Sequence, residues 1–341
     1  MDRPPTVTAV VLAYGPEPLL EECVTAVLAS TGVRGDVVLV DNGCTTTAVD
    51  RLDGRPGVTV LRPGRNTGFA GGCNLGAAHA TGDVVALVNG DAVVAPEALA
   101  RLTAALNGPR VGLASGSLRL HDRPELMNSA GNPVHYLGIS WAGGLGDAAT
   151  DHALPAEVAS ATGAAVAVRR EVWQRLGGFW EEMFAYCEDA ELSLRCWQRG
   201  LRVVYVPDAV VLHRYEFSRN PLKMYLLERN RLLMLLTLYE RRTLLLLGPA
   251  LLGLELAVLL VALRQGWARQ KVRGWWWLLR HGSDVRRRRA EVQAARTVPD
   301  RELARLLTAG FDPGADAGVS APAALTAGSR AYWAVVRRLL A

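Results

Sequence analysis

Three groups of residues in this chain have types and spacings suited to chemistry. The first runs from Asn66 to Asp91. Gly68, Gly71, Gly72 and Gly76 crowd a turn that enters an apolar helix, and a short apolar strand follows, ending in Asn89, Gly90 and Asp91. Glycines let a ligand approach the backbone closely. The amides of a helix N-terminus suit a phosphate, and a carboxylate just past a strand end suits a hard cation. Together they fit a metal-bound, phosphate-bearing ligand. The second group is Glu188, Asp189 and Glu191, in the first turn of a helix directly after Phe184 and Tyr186. Acids there are favoured by the helix dipole and can be simple caps. A carboxylate beside apolar rings can equally act as a general base. The third is His213, at a strand end, which counts as a ligand only if Asp91 brings a metal close to it.

The elements that must position these groups follow from hydrophobic patterning. Residues 6–14 form a β-branched apolar strand, and residues 19–28 repeat apolar side chains at helical spacing. Further strands fall at 36–40, 58–61, 83–88 and 111–120, with helices at 69–80 and from 96 to about 106. Residues 121–161 carry little pattern and read as loops that border a substrate. A strand at 162–170, a short helix at 171–176, a helix at 188–199 and two short strands at 202–206 and 208–212 complete this part. Strands alternating with helices predict an α/β fold with a doubly wound, mostly parallel sheet. Ligands in such sheets sit beyond the carboxyl ends of the strands, where Asp41 and Asp91 both fall.

Composition bounds the rest. The chain has 341 residues, 50% hydrophobic and 21% charged, which excludes a disordered chain. Its five cysteines are scattered with no CxxC pair, arguing against a zinc ribbon or a disulfide frame and for a reducing cytoplasm. The N-terminus lacks the pattern of a signal peptide. Net charge is +5, with much of the excess between Arg264 and Arg289. Residues 225–239 read as a long helix, and residues 244–263 are apolar except for Glu255, with Gly248, Pro249 and Gly253 as interruptions. That length nearly spans a bilayer, and an interfacial helix pair or an oligomer interface are the rivals. Trp275, Trp276 and Trp277 among arginines suit a membrane interface; no nucleic-acid motif accompanies them. Residues 313–329 read as a linker and residues 332–340 as a short amphipathic helix.

The ordered set of motifs resembles the inverting family-two glycosyltransferases, nearest in appearance to their bacterial rhamnosyltransferase-like branch. The residues that carry it are 6–14, Val40-Asp41-Asn42, the run from Asn66 through Gly68, Phe69, Gly72 and Asn74 to Gly76, Asn89-Gly90-Asp91, Gly177-Gly178-Phe179, Glu188-Asp189 and His213. The resemblance covers residues 6 to about 240 and implies the A-type glycosyltransferase fold. It places Asp41 near the nucleotide base. Asn66, Gly68, Phe69, Gly72, Asn74 and Asn89 would pack against the nucleoside and diphosphate. Asp91, last acid of an Asp-x-Asp motif whose first position is Asn89 here, would hold Mg²⁺ or Mn²⁺ with His213 nearby. Asp189 would be the base that deprotonates the acceptor hydroxyl, with Glu188 beside it.

The implied protein is a metal-dependent, inverting glycosyltransferase on the cytoplasmic face of the cell membrane, held by one or two hydrophobic helices or peripherally. It would move a sugar, with rhamnose a candidate, from a nucleotide-diphosphate donor to a lipid-linked or cell-envelope glycan acceptor. Residues 1–218 would form the catalytic domain, 219–295 a helical membrane-associated region and 296–341 a partly flexible tail. The alternatives are a non-catalytic membrane-bound scaffold and a sugar nucleotidyltransferase. The latter class opens with a glycine-rich basic loop where this chain has Ala13 to Glu17.

Overall fold

The apolar run near the N-terminus is strand β1 (Thr6–Gly15). Its side chains alternate between two packed faces, as a pleated strand requires. Val7, Ala9, Val11 and Ala13 enter one core, while Val10 and Leu12 enter the other. Both faces are therefore covered, and burial of each larger side chain stabilises by roughly 1.5–3 kcal/mol. The structure, a computed structural model, describes residues 4–214, 220–311 and 323–341.

The other strands are β2 (Arg34–Cys44), β3 (Val58–Leu61), β4 (Val84–Asn89), β5 (Ala92–Val94), β6 (Val111–Leu120), β7 (Arg123–Ser129), β8 (Ala156–Glu157), β9 (Ala165–Arg169) and β10 (Arg202–His213). They form one sheet of order β3-β2-β1-β4-β9-β6-β10-β5, with β7 on β6 and β8 on β10. The sheet is mostly parallel from β3 to β4 and again between β6 and β10. Between these blocks β9 runs antiparallel to both neighbours. Helices α1 (Leu20–Leu28), α2 (Ala48–Leu52) and α4 (Ala98–Ala105) cover one face. Helices α3 (Gly68–Ala78), α5 (Arg170–Leu176) and α6 (Glu188–Gln198) cover the other.

Two expectations are corrected here. The two short strands expected at 202–206 and 208–212 are the single strand β10, whose register against β6 shifts between Val206 and Val210. Pro207 cannot donate to the ladder, so the chain bulges past it instead of stopping. Residues 121–161 are not all loop: β7, β8 and a short 3₁₀ turn at Ala149–His152 lie within them. Strand β5 had no separate expectation. It holds only three residues, fewer than periodicity can resolve.

A third core lies beyond the sheet. Helix α7 (Pro221–Leu238) packs with α8 (Arg241–Gln265), α9 (Ala268–Arg280), α10 (Gly282–Ala294), α11 (Asp300–Leu303) and α12 (Ala323–Leu340). Pro249 sits inside α8 without ending it, so the expected interruption is absent. Residues 323–329 of the expected linker belong to α12; residues 313–322 of it lie outside the described residues. Leu303, Leu307, Trp333 and Val336, from the segment expected to be a tail, are buried in this core beside Met183 and Leu194 of the sheet domain.

Helix α7 also grips the turn that leads into α6. Phe184, Tyr186 and Cys187 all have positive φ, at 64°, 70° and 67°. Each such non-glycine residue stores on the order of 1–3 kcal/mol, held only if its surroundings over-determine it. Asn230, fully buried, supplies that hold. Its Nδ2 donates to the carbonyls of Met183 at 2.8 Å, Ala185 at 2.9 Å and Tyr186 at 2.7 Å. Arg229 adds donations to the Glu182 carbonyl at 2.5 Å and the Met183 carbonyl at 3.1 Å. Replacing Asn230 with Ala is expected to lower stability by about 2 kcal/mol, roughly 1 for each of the two N–H groups that the three carbonyls share. Urea unfolding reads the difference, and Asn230→Asp, which aims a carboxylate at three carbonyls, should do worse than Ala. A loss below about 1 kcal/mol for Asn230→Ala would mean that the turn supports itself.

Candidate active site

The sequence-marked residues gather at the carboxyl ends of β1, β2 and β4 and along the start of α6. Asp41 closes β2 partly exposed, and its Oδ1 accepts from the amides of Gly43 at 3.2 Å and Cys44 at 3.0 Å. Tyr14, 58% exposed at the end of β1, stands over Gly43. The two frame an open shelf.

Next to it lies the glycine turn, and its organising residue is one the site residues read from sequence left out. Asn42 is buried. Its Oδ1 accepts from the Thr67 amide and hydroxyl, both at 2.8 Å. Its Nδ2 donates to Asn66 Oδ1 at 3.2 Å and the Gly68 carbonyl at 3.0 Å. Asn66 Oδ1 in turn accepts from the Gly68 amide at 2.8 Å, and the Phe184 carbonyl accepts from the Ala70 amide at 3.0 Å. The amides of Thr67, Gly68 and Ala70 thus have internal partners. The start of α3 is consequently not the open phosphate cradle its glycines suggested.

Those glycines have packing reasons. A Cβ on Gly68, where φ is +74°, would meet the Phe184 carbonyl oxygen at 2.4 Å. On Gly72 it would lie 2.7 Å from Leu12 Cδ2, and on Gly76 2.3 Å from Val10 Cγ1. Gly72 therefore lets α3 sit tightly on β1 and does not expose backbone to a ligand. Asn74 is likewise a brace: its side chain accepts from the Phe179 amide and donates to the Phe179 carbonyl, both at 2.9 Å. It also donates to Glu181 at 3.0 Å. The Phe69 ring packs near Phe179, with centroids 5.9 Å apart, and against Gly163.

Asp91 and His213 do come together, with Oδ1 and Nε2 3.2 Å apart. Strand β5 makes this possible. It begins just after Asp91 and runs antiparallel to β10, pairing Ala92 with His213. The His213 ring is fixed from its other side, where Nδ1 lies 2.7 Å from Asn128 Oδ1 on β7. With Nδ1 held by Asn128, Nε2 is the ring nitrogen turned toward Asp91. Glu17, also absent from the sequence reading, is close by: a Cβ on Gly90 would lie 3.1 Å from its Oε2. Burial, then the Asp91 charge, pushes the Glu17 carboxyl up to about 7. Its only sequence signal was an acid just past the end of β1. Among the described residues no three His, Cys, Asp or Glu side chains form a ready-made metal cage.

Across the β4–β9 seam stands the second acidic group. The Asn89 amide donates to the Ala164 carbonyl at 3.0 Å, and the adjacent Gly163 amide donates to Asp189 Oδ2 at 3.2 Å. Burial raises the Asp189 carboxyl above the usual range, against the Gly163 and Ala190 amides that lower it. Glu188 is buried, and its Oε2 has no hydrogen-bond partner. Burial, then the Asp189 charge, pushes Glu188 up to about 8. Two adjacent carboxyls in one low-dielectric site titrate as a pair. Glu191 leaves the group: it is fully buried and ion-paired with Arg195 at 2.6 Å and Arg288 at 3.3 Å.

Known proteins resemble this chain in sequence and in fold. A family model described as "Glycosyltransferase like family 2" matches residues 4–234. An N-acetylglucosaminyl-diphospho-decaprenol L-rhamnosyltransferase of Mycobacterium tuberculosis is 30% identical over 243 residues, covering 62% of this chain and 78% of that one. Among solved structures, GalNAc-T7 with UDP, GalNAc and Mn²⁺ aligns at a TM-score of 0.58 with 18% identity, over 70% of this chain and 48% of that one. The mannosyltransferase PcManGT of Pyrobaculum calidifontis, with GDP-Man and Mn²⁺, aligns at 0.51 with 22% identity, over 98% of this chain and 85% of that one. The family match spans well over half of the chain, and the chain belongs to family 2 of the glycosyltransferases, as an inverting enzyme of the A-type fold.

Proposed function

We propose that the enzyme moves a sugar, with rhamnose the first candidate, from a nucleotide-diphosphate donor to a lipid-linked acceptor at a membrane surface. One observation carries the division of labour. The Asp91–His213 pair follows the Asn89 end of β4, and the Asp189 carboxylate is held by Gly163, next to the Ala164 that Asn89 pairs with, so two separately fixed acidic groups border the carboxyl end of β4. The rhamnosyl and lipid-linked assignments follow the relative from M. tuberculosis.

In this reading Tyr14 and Asp41 receive the nucleoside on the shelf past β1 and β2. Asp91 and His213 would hold a divalent cation, Mg²⁺ or Mn²⁺, together with the donor diphosphate. A carboxylate and an imidazole with its second nitrogen tied down fit such a cation, which commonly takes its remaining ligands from phosphate and water. When bound, the cation neutralises charge developing on the leaving diphosphate. Asp189 takes the proton of the acceptor hydroxyl. The acceptor oxygen bonds to the anomeric carbon as the bond from that carbon to the diphosphate oxygen breaks, and configuration inverts. Burial favours this base, because a carboxyl raised toward neutrality holds the proton better than an exposed one. Glu188, kept protonated by burial, spares Asp189 a full second negative charge.

Calorimetry with UDP-, GDP- and dTDP-sugars, with and without Mn²⁺, tests the donor half. One nucleotide is expected to bind in a metal-dependent way, with at least about tenfold weaker binding, some 1.4 kcal/mol, in Asp91→Ala. Metal-independent binding that survives Asp91→Ala would remove Asp91 from the cation site. For the base, Asp189→Asn should lower kcat by roughly 10²–10⁴-fold while leaving donor affinity unchanged. Equal activity of the Asn variant would reassign the base.

Glu188 adds a pH signature. A carboxyl raised in the fold costs nothing below its unfolded value near 4.5, and withdraws stability as pH climbs from there toward the folded value of about 8. Glu188→Gln removes that loss. Wild type should therefore fall behind the Gln variant in urea midpoint as pH rises from 5 to 8. A difference that does not change with pH would mean Glu188 ionises at its ordinary value.

A further inference from the structure

We propose that α8 and α9 lie flat in the surface of an anionic lipid bilayer, with α8 embedded along its length and not crossing. This deepens the membrane-side reading given above and rests on it only for where the acceptor is found. Helix α8 has 25 residues and contains an 18-residue stretch of mean hydropathy 2.5, so length and composition alone would let it span. Little of it is covered, and Val261 is 42% exposed on the side of Thr243 and Leu247, but one leucine stripe is the most open. Leu245, Leu252, Leu256, Leu260 and Leu263 are 53–79% exposed, and their spacing keeps them on one side of the helix. Thr243, Leu247 and Ala262 are buried on the other.

Glu255, near the middle of α8, is on that inner side and decides the orientation. Its carboxylate accepts from Lys271 Nζ at 2.8 Å and Trp275 Nε1 at 2.5 Å, and pairs with Arg231. Lys271 and Arg231 also pair with Glu228 of α7. A crossing α8 would have to take two acids and two bases with it into hydrocarbon, or abandon them. Its partner α9 cannot follow, since 13 residues reach only about 20 Å against a hydrocarbon core of about 30 Å. Helix α8 is thus tied along its mid-length to a layer that stays out of the hydrocarbon core.

Helix α9 continues the surface. Val272, Trp276 and Leu279 are exposed at i, i+4 and i+7. Arg269, Arg273 and Arg280 are exposed beside them, and the Arg280 guanidinium lies 4.9 Å from the Trp276 ring centroid. Tryptophan among arginines at the rim of an apolar stripe matches the headgroup level of a membrane. The charge selects the occupant. An anionic lipid surface complements these arginines, whereas a second copy of the chain on the same face would set them against one another.

The test floats the full-length protein, free of detergent, with vesicles of equal parts phosphatidylglycerol and phosphatidylcholine, and with phosphatidylcholine alone. Binding is expected to the first, about tenfold weaker to the second and weakened by high salt. An alkaline carbonate wash should strip the protein from the vesicles. Changing both Leu256 and Leu260 to Asp should abolish vesicle binding with donor binding intact, because neither side chain is packed. Resistance to carbonate would overturn the proposal in favour of a spanning α8. Equal binding to neutral vesicles would overturn the anionic surface, and a solution dimer broken by the Asp variant would make the face a contact between copies. Donor binding that persists while vesicle binding fails would leave the glycosyltransfer reading standing and remove only this one.

Discussion

One side-chain amide, Asn230 Nδ2, holds the turn on which both halves of the site depend. That turn contains three non-glycine residues at positive φ, a conformation the chain does not keep unaided. With its carbonyls fixed by Asn230, the turn delivers Glu188 and Asp189 at the start of α6. It also offers the Phe184 carbonyl to the Ala70 amide, and sits so close to Gly68 that no Cβ fits there. The glycine turn at α3 and the acidic pair at α6 are therefore both referenced to α7. The C-terminal helices serve as the backing of the candidate site.

The same helix joins that backing to the outer layer. Glu228, Arg229, Asn230 and Arg231 are consecutive. Arg229 and Asn230 face the strained turn, while Glu228 and Arg231 meet Lys271 and Glu255. Buried ion clusters seldom add net stability over apolar packing, because desolvation offsets the Coulomb gain. What they supply is register, since slipping α8 or α9 by one turn would leave a charge unpaired at low dielectric. Glu191 with Arg195 and Arg288 does the same between α6 and α10. Catalytic geometry and the surface-facing helices thus share one set of fixed partners.

The sheet and its strand-end acids were legible because long, continuously buried runs leave strong local signals, as in β1 and β6. Asp91 and His213 could each be singled out, yet their meeting could not be read from the chain. It depends on β5, three residues long, and on Asn128, in a stretch whose burial comes from tertiary pairing more than from pattern. Glycines misled for a related reason. A Cβ-free surface looks the same in sequence whether a ligand or Val10 lies against it, and at Gly72 and Gly76 it is the strand. Asn230 had no local mark at all, standing between two arginines on a helix that looked merely apolar. Its role exists only once the Met183–Tyr186 carbonyls are brought to it.

The unusual Asn89 can be understood on the same terms. It occupies the end of β4, where its amide pairs with Ala164 and its carbonyl accepts from the Cys23 thiol at 3.3 Å. Gly90 then turns the chain so tightly that a Cβ would meet the Leu12 carbonyl oxygen at 2.8 Å, and this closeness brings Glu17 against the turn. A carboxylate missing at position 89 is matched by one arriving from the end of β1. Without a cation, Glu17 and Asp91 repel at reduced dielectric, and Glu17 answers by holding its proton toward pH 7, burial being the larger cause. A cation held there, as proposed, would relieve the same repulsion by supplying positive charge, and a third carboxylate at position 89 would deepen the repulsion in its absence.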